Sequence, residues 1–196
     1  MFEYIRRLMR VALVTMLGFG GGVALLLFIF IVVIKGEQNA AQAALKAGLL
    51  LGIAFSLILT CVMVLLDLTA RLFIAKGVTT NTFWDLEQKR ELVLDGTVKQ
   101  IMAACRQALL SVPNVTSVSD DMTNLTAKAL TGTSWRSSGE EIDVKIISLG
   151  DKQCQVQCIS RCKSPKTIFD YGKNFENVET WQRHMDSELK ALAKPS

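Results

Sequence analysis

The stretch VALVTMLGFGGGVALLLFIFIVVI, residues 11–34, contains no charged side chain. A second uncharged stretch, AGLLLGIAFSLILTCVMVLL, covers residues 47–66. A helix needs about 20 predominantly apolar residues to cross the hydrocarbon core of a bilayer. Both stretches are long enough, and only the short segment KGEQNAAQAALK separates them. The sequence therefore predicts a transmembrane helical hairpin within residues 1–68.

Two other interpretations of these stretches are weaker. Buried helices of a soluble core would show a polar face at helical spacing, and neither stretch has one. A secretory signal could begin with the basic segment MFEYIRRLMR and be cleaved near Ala41-Gln42-Ala43. Its apolar core would then be much longer than the roughly 7 to 15 residues of a signal peptide, which favours a retained anchor.

The charges that flank the stretches predict the orientation of the hairpin. Arg6, Arg7 and Arg10 precede the first stretch, while Arg71 and Lys76 follow the second. Because basic residues concentrate on the cytoplasmic side, both termini are expected in the cytoplasm. No charged residue lies in the middle of either stretch, which argues against an ion or proton pathway.

Each stretch contains a pair of glycines four residues apart, Gly18 with Gly22 and Gly48 with Gly52. Small residues at this spacing let helix backbones approach closely. Counting along an antiparallel hairpin, we expect the first pair to pack near Cys61. The second pair would face bulky side chains such as Ile31, so it predicts self-association or contact with another membrane protein.

The remaining chain predicts an α+β domain at 89–196, joined to the hairpin by a juxtamembrane linker at 69–88. Periods of two and of three to four residues indicate strands and helices, respectively. An antiparallel sheet packed by two helices is expected. The predicted strands cover 90–94, 115–119, 125–131, 142–146 and 154–162, and the predicted helices cover 98–112 and 175–192.

Cys154, Cys158 and Cys162 lie on one face of the last predicted strand, opposite a row of glutamines. On a strand, neighbours in this series stand about 13 Å apart. One zinc ion with bonds of about 2.3 Å cannot gather them, and a disulfide requires α-carbons within about 7 Å. On a helix the same spacing would align all three, but the glutamine alternation opposes a helix. We therefore expect core cysteines, reduced in the cytoplasm, and no metal site.

Two motifs, SWRSSGEEIDVKI at 134–146 and DYGKNFENV at 170–178, resemble a recurring bacterial domain of unknown function that is sometimes membrane-anchored. The resemblance covers roughly residues 89–190, not the hairpin, and implies a compact α+β domain without implying a chemistry. Together with the predicted hairpin, it leads us to expect a protein of the bacterial plasma (inner) membrane. The first motif reads as a tight hairpin entry in which Trp135 covers an edge of the sheet, and the second as a loop and helix cap, with Asn174 as the N-cap. The same polar residues could instead form an interaction or ligand surface: Trp135, Ser137, Gly139, Glu140, Lys173, Asn174 and Asn177.

The sequence carries no sign of catalysis. It lacks a phosphate-binding glycine loop, a metal-ligand spacing and a nucleophile with a visible base, so we expect neither an enzyme nor a bound cofactor. The net charge of +4 is too small and dispersed to indicate nucleic acid binding. The leading hypothesis is a membrane-anchored cytoplasmic interaction or scaffold module. The alternative is a membrane-tethered lipid or small-ligand binding domain, because the element order also resembles helix-grip domains, in which a sheet curls around the last helix.

Overall fold

The computed structural model describes residues 2–35, 40–74 and 85–192. The chain divides into two compact units, Met1–Thr69 and Ala70–Ser196. Residues 75–84, the centre of the predicted juxtamembrane linker, lie outside the described residues.

The first unit consists of two long helices. Helix α1 (Phe2–Phe30) continues as one π-helical turn (Ile31–Lys35), and helix α2 (Ala40–Ile74) follows. The segments Phe2–Val33 and Ala41–Ala70 are long and apolar enough to cross a membrane, a test that a signal sequence or a soluble core helix can also pass. Few of their residues are buried within the unit, so both helices expose leucine and isoleucine side chains along their length.

The two helices approach most closely at glycines. A Cβ atom built on Gly48 would lie 2.5 Å from the Cβ of Ala24 and 2.6 Å from the carbonyl oxygen of Gly20. One built on Gly52 would lie 2.8 Å from the Cα of Gly20. Further along the same interface the Ser56 hydroxyl donates to the carbonyl oxygen of Ala12 at 2.7 Å. Only glycine fits at 20, 48 and 52 without the helices moving apart.

This register differs from the one expected by counting along the hairpin. Gly48 and Gly52 pack against α1 near Gly20 rather than opposite Ile31, so the hairpin itself uses them. Gly18 and Gly22 do not pack near Cys61, because a Cβ atom at either position would have no described atom within 4 Å. The expected register was wrong because the close backbone contacts of Gly48 and Gly52 with Gly20 determine which residues of the two helices lie opposite each other. Association through the glycines stays a prediction.

We expect Gly48→Ile to destabilise the hairpin by about 1–3 kcal/mol, the usual cost of overpacking. The branched side chain would meet the backbone of Gly20 and force the helices apart. SDS titration of helicity in mild detergent measures the change. Gly18→Ile is the matched control, since its site is open and its stability should stay near wild type. Equal effects of the two substitutions would contradict this helix packing.

The second unit is an α+β domain, as predicted. Its helices and strands follow in the order β1 (Gln88–Asp95), α3 (Val98–Leu110), β2 (Val115–Asp121), β3 (Thr126–Thr131), β4 (Glu140–Gly150), β5 (Gln153–Cys162) and α4 (Lys173–Leu192). All strand pairs are antiparallel, and the sheet order is β1-β5-β4-β3-β2. Strand β4 extends beyond the predicted 142–146 at both ends, and it lies at the centre of the sheet between β5 and β3.

Both helices of this unit pack against one face of the sheet. Alternate strand residues point into the core, as the pairing of Val144 with Cys158 illustrates. Helix α3 starts with a capping box between Thr97 and Gln100 and buries its apolar stripe there. Helix α4 contributes Trp181, which is fully buried. The largest fully buried apolar side chains of the core and the start of α4 are Ile101, Leu109, Ile142, Val144, Val156, Phe175, Val178, Trp181 and Met185.

The cysteines of β5 lie as the alternation predicts. Cys154 and Cys158 are fully buried, Cys162 is partly buried, and all three are free thiols. Burial raises the pKa of the Cys158 thiol well above its ordinary value of 9.0. Burial also raises the pKa of Cys105 on α3 to about 12, with a smaller effect from Cys154. These thiols therefore stay protonated at neutral pH and serve as packing groups.

Candidate functional site

Two loops meet at one end of the sheet. The first, residues 132–139, joins β3 to β4, and the second, residues 163–172, joins β5 to α4. Together they are called the double loop here. The antiparallel register sets Glu140 opposite Cys162, so the two loops leave the sheet side by side. Lys163 links them, because its backbone N–H donates to the carbonyl of Gly139 at 3.0 Å and its Nζ donates to the carbonyl of Thr131 at 2.6 Å.

Glu140 fixes the first loop from inside. Its side chain is fully buried and accepts hydrogen bonds from the hydroxyls of Thr131 and Ser137. Its backbone N–H donates to the Thr131 hydroxyl at 2.7 Å. Gly139 has a φ of 103°, a conformation that favours glycine, and a Cβ there would lie 2.8 Å from the Thr131 carbonyl oxygen. The first motif is therefore a hairpin entry closed around a buried carboxyl group.

Asp170 fixes the second loop in the same manner. Its buried carboxyl group accepts from the backbone N–H of Gly172 at 3.2 Å and from the backbone N–H of Asn174 at 3.0 Å. Gly172 and Tyr171 both have positive φ, at 73° and 45°. Helix α4 begins at Lys173, so Asn174 is not the N-cap that the sequence suggested. Asp170 supplies the capping carboxyl group instead, because its position lets it reach the free N–H group of Asn174 in the first turn.

Asn174 and Asn177 instead face inward and join α4 to the sheet. The Asn174 side chain accepts from the Ser160 hydroxyl at 2.7 Å, and its amide nitrogen donates to the carbonyl of Leu86 at 2.7 Å. The Asn177 amide nitrogen donates to the same Ser160 hydroxyl at 3.1 Å. The polar residues that the sequence marked as a possible surface are therefore fully buried at these two positions, where they position the helix.

A three-residue charge cluster crosses from the first loop to α4. Oε2 of Glu176 contacts both the Arg136 guanidinium and the Lys173 ammonium group. The distance from this oxygen to Nζ of Lys173 is 2.9 Å. Lys173 is only 3% exposed. Burial alone would raise the pKa of the Glu176 carboxyl, but the hydrogen bonds and charges of Lys173 and Arg136 outweigh it and hold that pKa below its ordinary 4.5. The cluster locks the first loop onto the helix.

Trp135 stands at the tip of the first loop. The sequence led us to expect that it covers a sheet edge, but its side chain is 74% exposed. Its ring lies 5.7 Å from the ring of Tyr171, which in turn stacks on Phe169 at 6.0 Å. The loop around Trp135 is closed by a hydrogen bond from the Ser134 N–H to the Ser137 carbonyl at 2.8 Å. A large aromatic side chain is thus presented to the surroundings from a tightly bonded loop.

The structure brings the seven predicted surface residues into or beside the double loop. Sequence reasoning missed Thr131, Arg136, Lys163, Tyr171 and Glu176, because the contacts that bring them together at this end of the domain join segments that are distant in sequence. Asp170 was identifiable, since an aspartate just before a helical pattern is a helix-start signal. Burial raises the pKa of the nearby Cys162 thiol to about 11, with a further contribution from Asp170, so this thiol is a poor nucleophile at neutral pH.

No protein-family model matches the chain, and no curated protein matches it. Among solved structures, the protein TTHA0849 from Thermus thermophilus is 11% identical, with a TM-score of 0.35 over 55% of this chain and 99% of that one. A START superfamily protein from Mycobacterium smegmatis is 8% identical, with a TM-score of 0.39 over the same shares. The Zhui aromatase/cyclase from Streptomyces sp. R1128 is 6% identical, with a TM-score of 0.27 over 54% of this chain and 90% of that one. Structural similarity with TM-scores this low supports no conclusion about function.

We expect Glu176→Gln to lower the free energy of unfolding by about 1–2 kcal/mol at neutral pH, because two cations would lose their shared partner. The lowered pKa makes this contribution present above pH 4.5 and lost as the pH falls through the folded-state pKa. Urea unfolding at neutral and acidic pH should therefore show the gap between wild type and variant closing in acid. Asp186→Asn on the exposed side of the same helix is the control and should change little at either pH. A gap that is independent of pH would contradict the role of this cluster.

Proposed function

We propose that the chain is a membrane-anchored interaction module whose binding surface is the double loop. The two N-terminal helices would form the anchor in a bacterial inner membrane, with both termini in the cytoplasm. What supports the anchor is their length, their apolar composition and the outward-facing leucines along both helices. The module is proposed to act by binding and not by catalysis.

The main observation behind this proposal is that Trp135 is exposed on a loop that several contacts hold in place. An isolated exposed apolar residue needs no explanation, but here a buried carboxyl group, a positive-φ glycine and the Arg136–Glu176 pair all hold the loop that carries it. Ordering a loop costs conformational entropy, and a preordered loop binds without paying that cost again. Tryptophan and arginine are also the residues that dominate binding energy at interfaces.

The packing of the core supports a surface site over an internal one. Trp181, Met185 and Val178 of α4 and Cys105 and Leu109 of α3 are all fully buried in one cluster with the sheet. Side chains from both helices therefore occupy the layer between sheet and α4, where a helix-grip domain would hold a ligand. A binding partner would then contact the outside of the domain, where Trp135 lies.

We expect a photo-crosslinking residue at position 135 of the full chain to form adducts in native membranes that the same residue at position 122 does not. Met122 is the control because it too is exposed and apolar, on the turn between β2 and β3. Mass spectrometry of the adducts then identifies protein or lipid partners. Equal adduct yields at the two positions, or none at 135, would contradict the proposed surface.

A second candidate function, small-ligand binding between α4 and the sheet, is favoured by two buried polar atoms. Asn177 Oδ1 and Trp181 Nε1 are buried and have no hydrogen-bond partner among the described residues. They are an acceptor and a donor one turn apart on α4, and leaving such groups unsatisfied costs about 1–3 kcal/mol each. A small polar molecule could satisfy both.

For this second candidate we expect protein purified under mild conditions to release a stoichiometric small molecule on denaturation. Trp181→Phe keeps an aromatic ring at this position but removes the indole N–H donor, so it should reduce the amount released. Trp135→Phe on the surface is the matched control and should leave the amount unchanged. Mass spectrometry of the extract provides the measurement, and an empty wild-type protein would exclude this candidate.

A further inference from the structure

In the double loop and at its ends, the acidic side chains are buried and two basic side chains are exposed. The first loop contains no acidic residue, and the glutamate that follows it, Glu140, is fully buried. The only acidic residue of the second loop is Asp170, which is also fully buried. The basic residues remain outside, because Lys163 and Lys166 are both exposed. The outer surface of the two loops therefore combines cationic side chains with an exposed tryptophan.

The third basic residue of the loops, Arg136, is paired with Glu176, which also pairs with Lys173. Two cations share one carboxylate, so this cluster keeps a net charge of +1, but Lys173 is buried and the Arg136 side chain is only 17% exposed. The exposed positive charge thus belongs mainly to the two lysines of the second loop. Lys163 directs its Nζ towards the carbonyl of Thr131, which fixes one of these charges beside the first loop.

We propose that this surface docks on anionic lipid headgroups of a bilayer. The inference rests on the proposed function and names its partner. Tryptophan rings settle at the level of the headgroups, where one part of the ring is apolar and its N–H is hydrated. Exposed lysines are attracted to the negative surface potential of an anionic leaflet, and each strengthens binding about five-fold. Tryptophan and lysines on neighbouring loops match both properties of such a surface.

The length of the chain makes this partner accessible. If α2 spans the membrane, residues 71–87 connect the span to β1 and reach at most about 60 Å even when fully extended. A tethered domain therefore meets the headgroups at a high effective concentration, so individually weak contacts are sufficient. An acidic protein segment could also satisfy the lysines, and the comparison of neutral with anionic discs below distinguishes that partner from the bilayer.

The test places the full chain in lipid nanodiscs whose acyl chains carry bromine, a quencher of tryptophan fluorescence. One set of discs contains phosphatidylcholine only, and the other also contains phosphatidylserine. Quenching is measured in the wild-type protein and in the Trp135→Phe variant. Trp84 and Trp181 are present in both proteins, so the difference in quenching between them reports the position of the Trp135 ring. We expect Trp135 to be quenched in the anionic discs, and less so in neutral discs or at high salt.

Charge variants make the test specific. Lys163→Gln with Lys166→Gln should lower the docked fraction in anionic discs, by about five-fold per lysine in the docking equilibrium. Because Lys163 also bonds to Thr131, Lys166→Glu alone provides a second variant that leaves that hydrogen bond in place. Lys145→Gln with Lys152→Gln removes the same charge from exposed positions elsewhere in the domain and should change nothing.

Quenching of Trp135 that is absent, or equal in neutral and anionic discs, would overturn the lipid assignment. An effect of the control pair as large as that of the loop lysines would also overturn it. Failure of the lipid inference remains separate from failure of the proposed function. Protein adducts specific to position 135 without lipid quenching would leave the interaction surface in place, whereas neither adducts nor quenching would remove both.

Discussion

Two buried carboxyl groups determine the shape of the double loop at one end of this domain. Glu140 and Asp170 each accept hydrogen bonds from the loop that precedes or contains them, and each also connects that loop to the next strand or helix. Burying a carboxyl group is costly unless its hydrogen-bonding capacity is met, and here hydroxyl and backbone donors meet it. The two loops therefore have defined conformations, and the buried groups beneath Trp135 determine the position of its exposed side chain.

The rest of the domain supports this arrangement. The β4–β5 pair sets the two loops side by side, and the Asn174–Ser160–Asn177 hydrogen bonds hold the start of α4 against β5. Behind these contacts the two helices fill the covered face of the sheet. This division between a packed interior and an ordered exposed end favours recognition at the surface. It also gives the cysteines of β5 a purely structural place, since burial keeps their thiols protonated.

Much of the fold could be predicted because each element carries a local pattern. The alternation along Cys154 to Cys162 identified β5, and the three-to-four residue period from Val98 identified α3. Details that depend on distant partners could not be predicted in this way. The level of Gly48 against Gly20 depends on where two backbones can touch, and the exposure of Trp135 depends on Tyr171 and on loops brought together by strand pairing. Asn174 was misplaced because an asparagine that bonds inward to Ser160 has the same sequence signal as a cap.

The most direct test of the account measures the backbone order of the first loop by NMR relaxation in the full chain. If Glu140 holds the loop, residues 133–138 should have order parameters near 0.85, the value of rigid backbone. Glu140→Gln, which weakens the acceptor at the centre, should lower them towards the values below 0.6 that mark a flexible segment, without altering those of β4 and β5. A loop that is already flexible in the wild-type protein would contradict the claim that Trp135 is presented by a preordered surface.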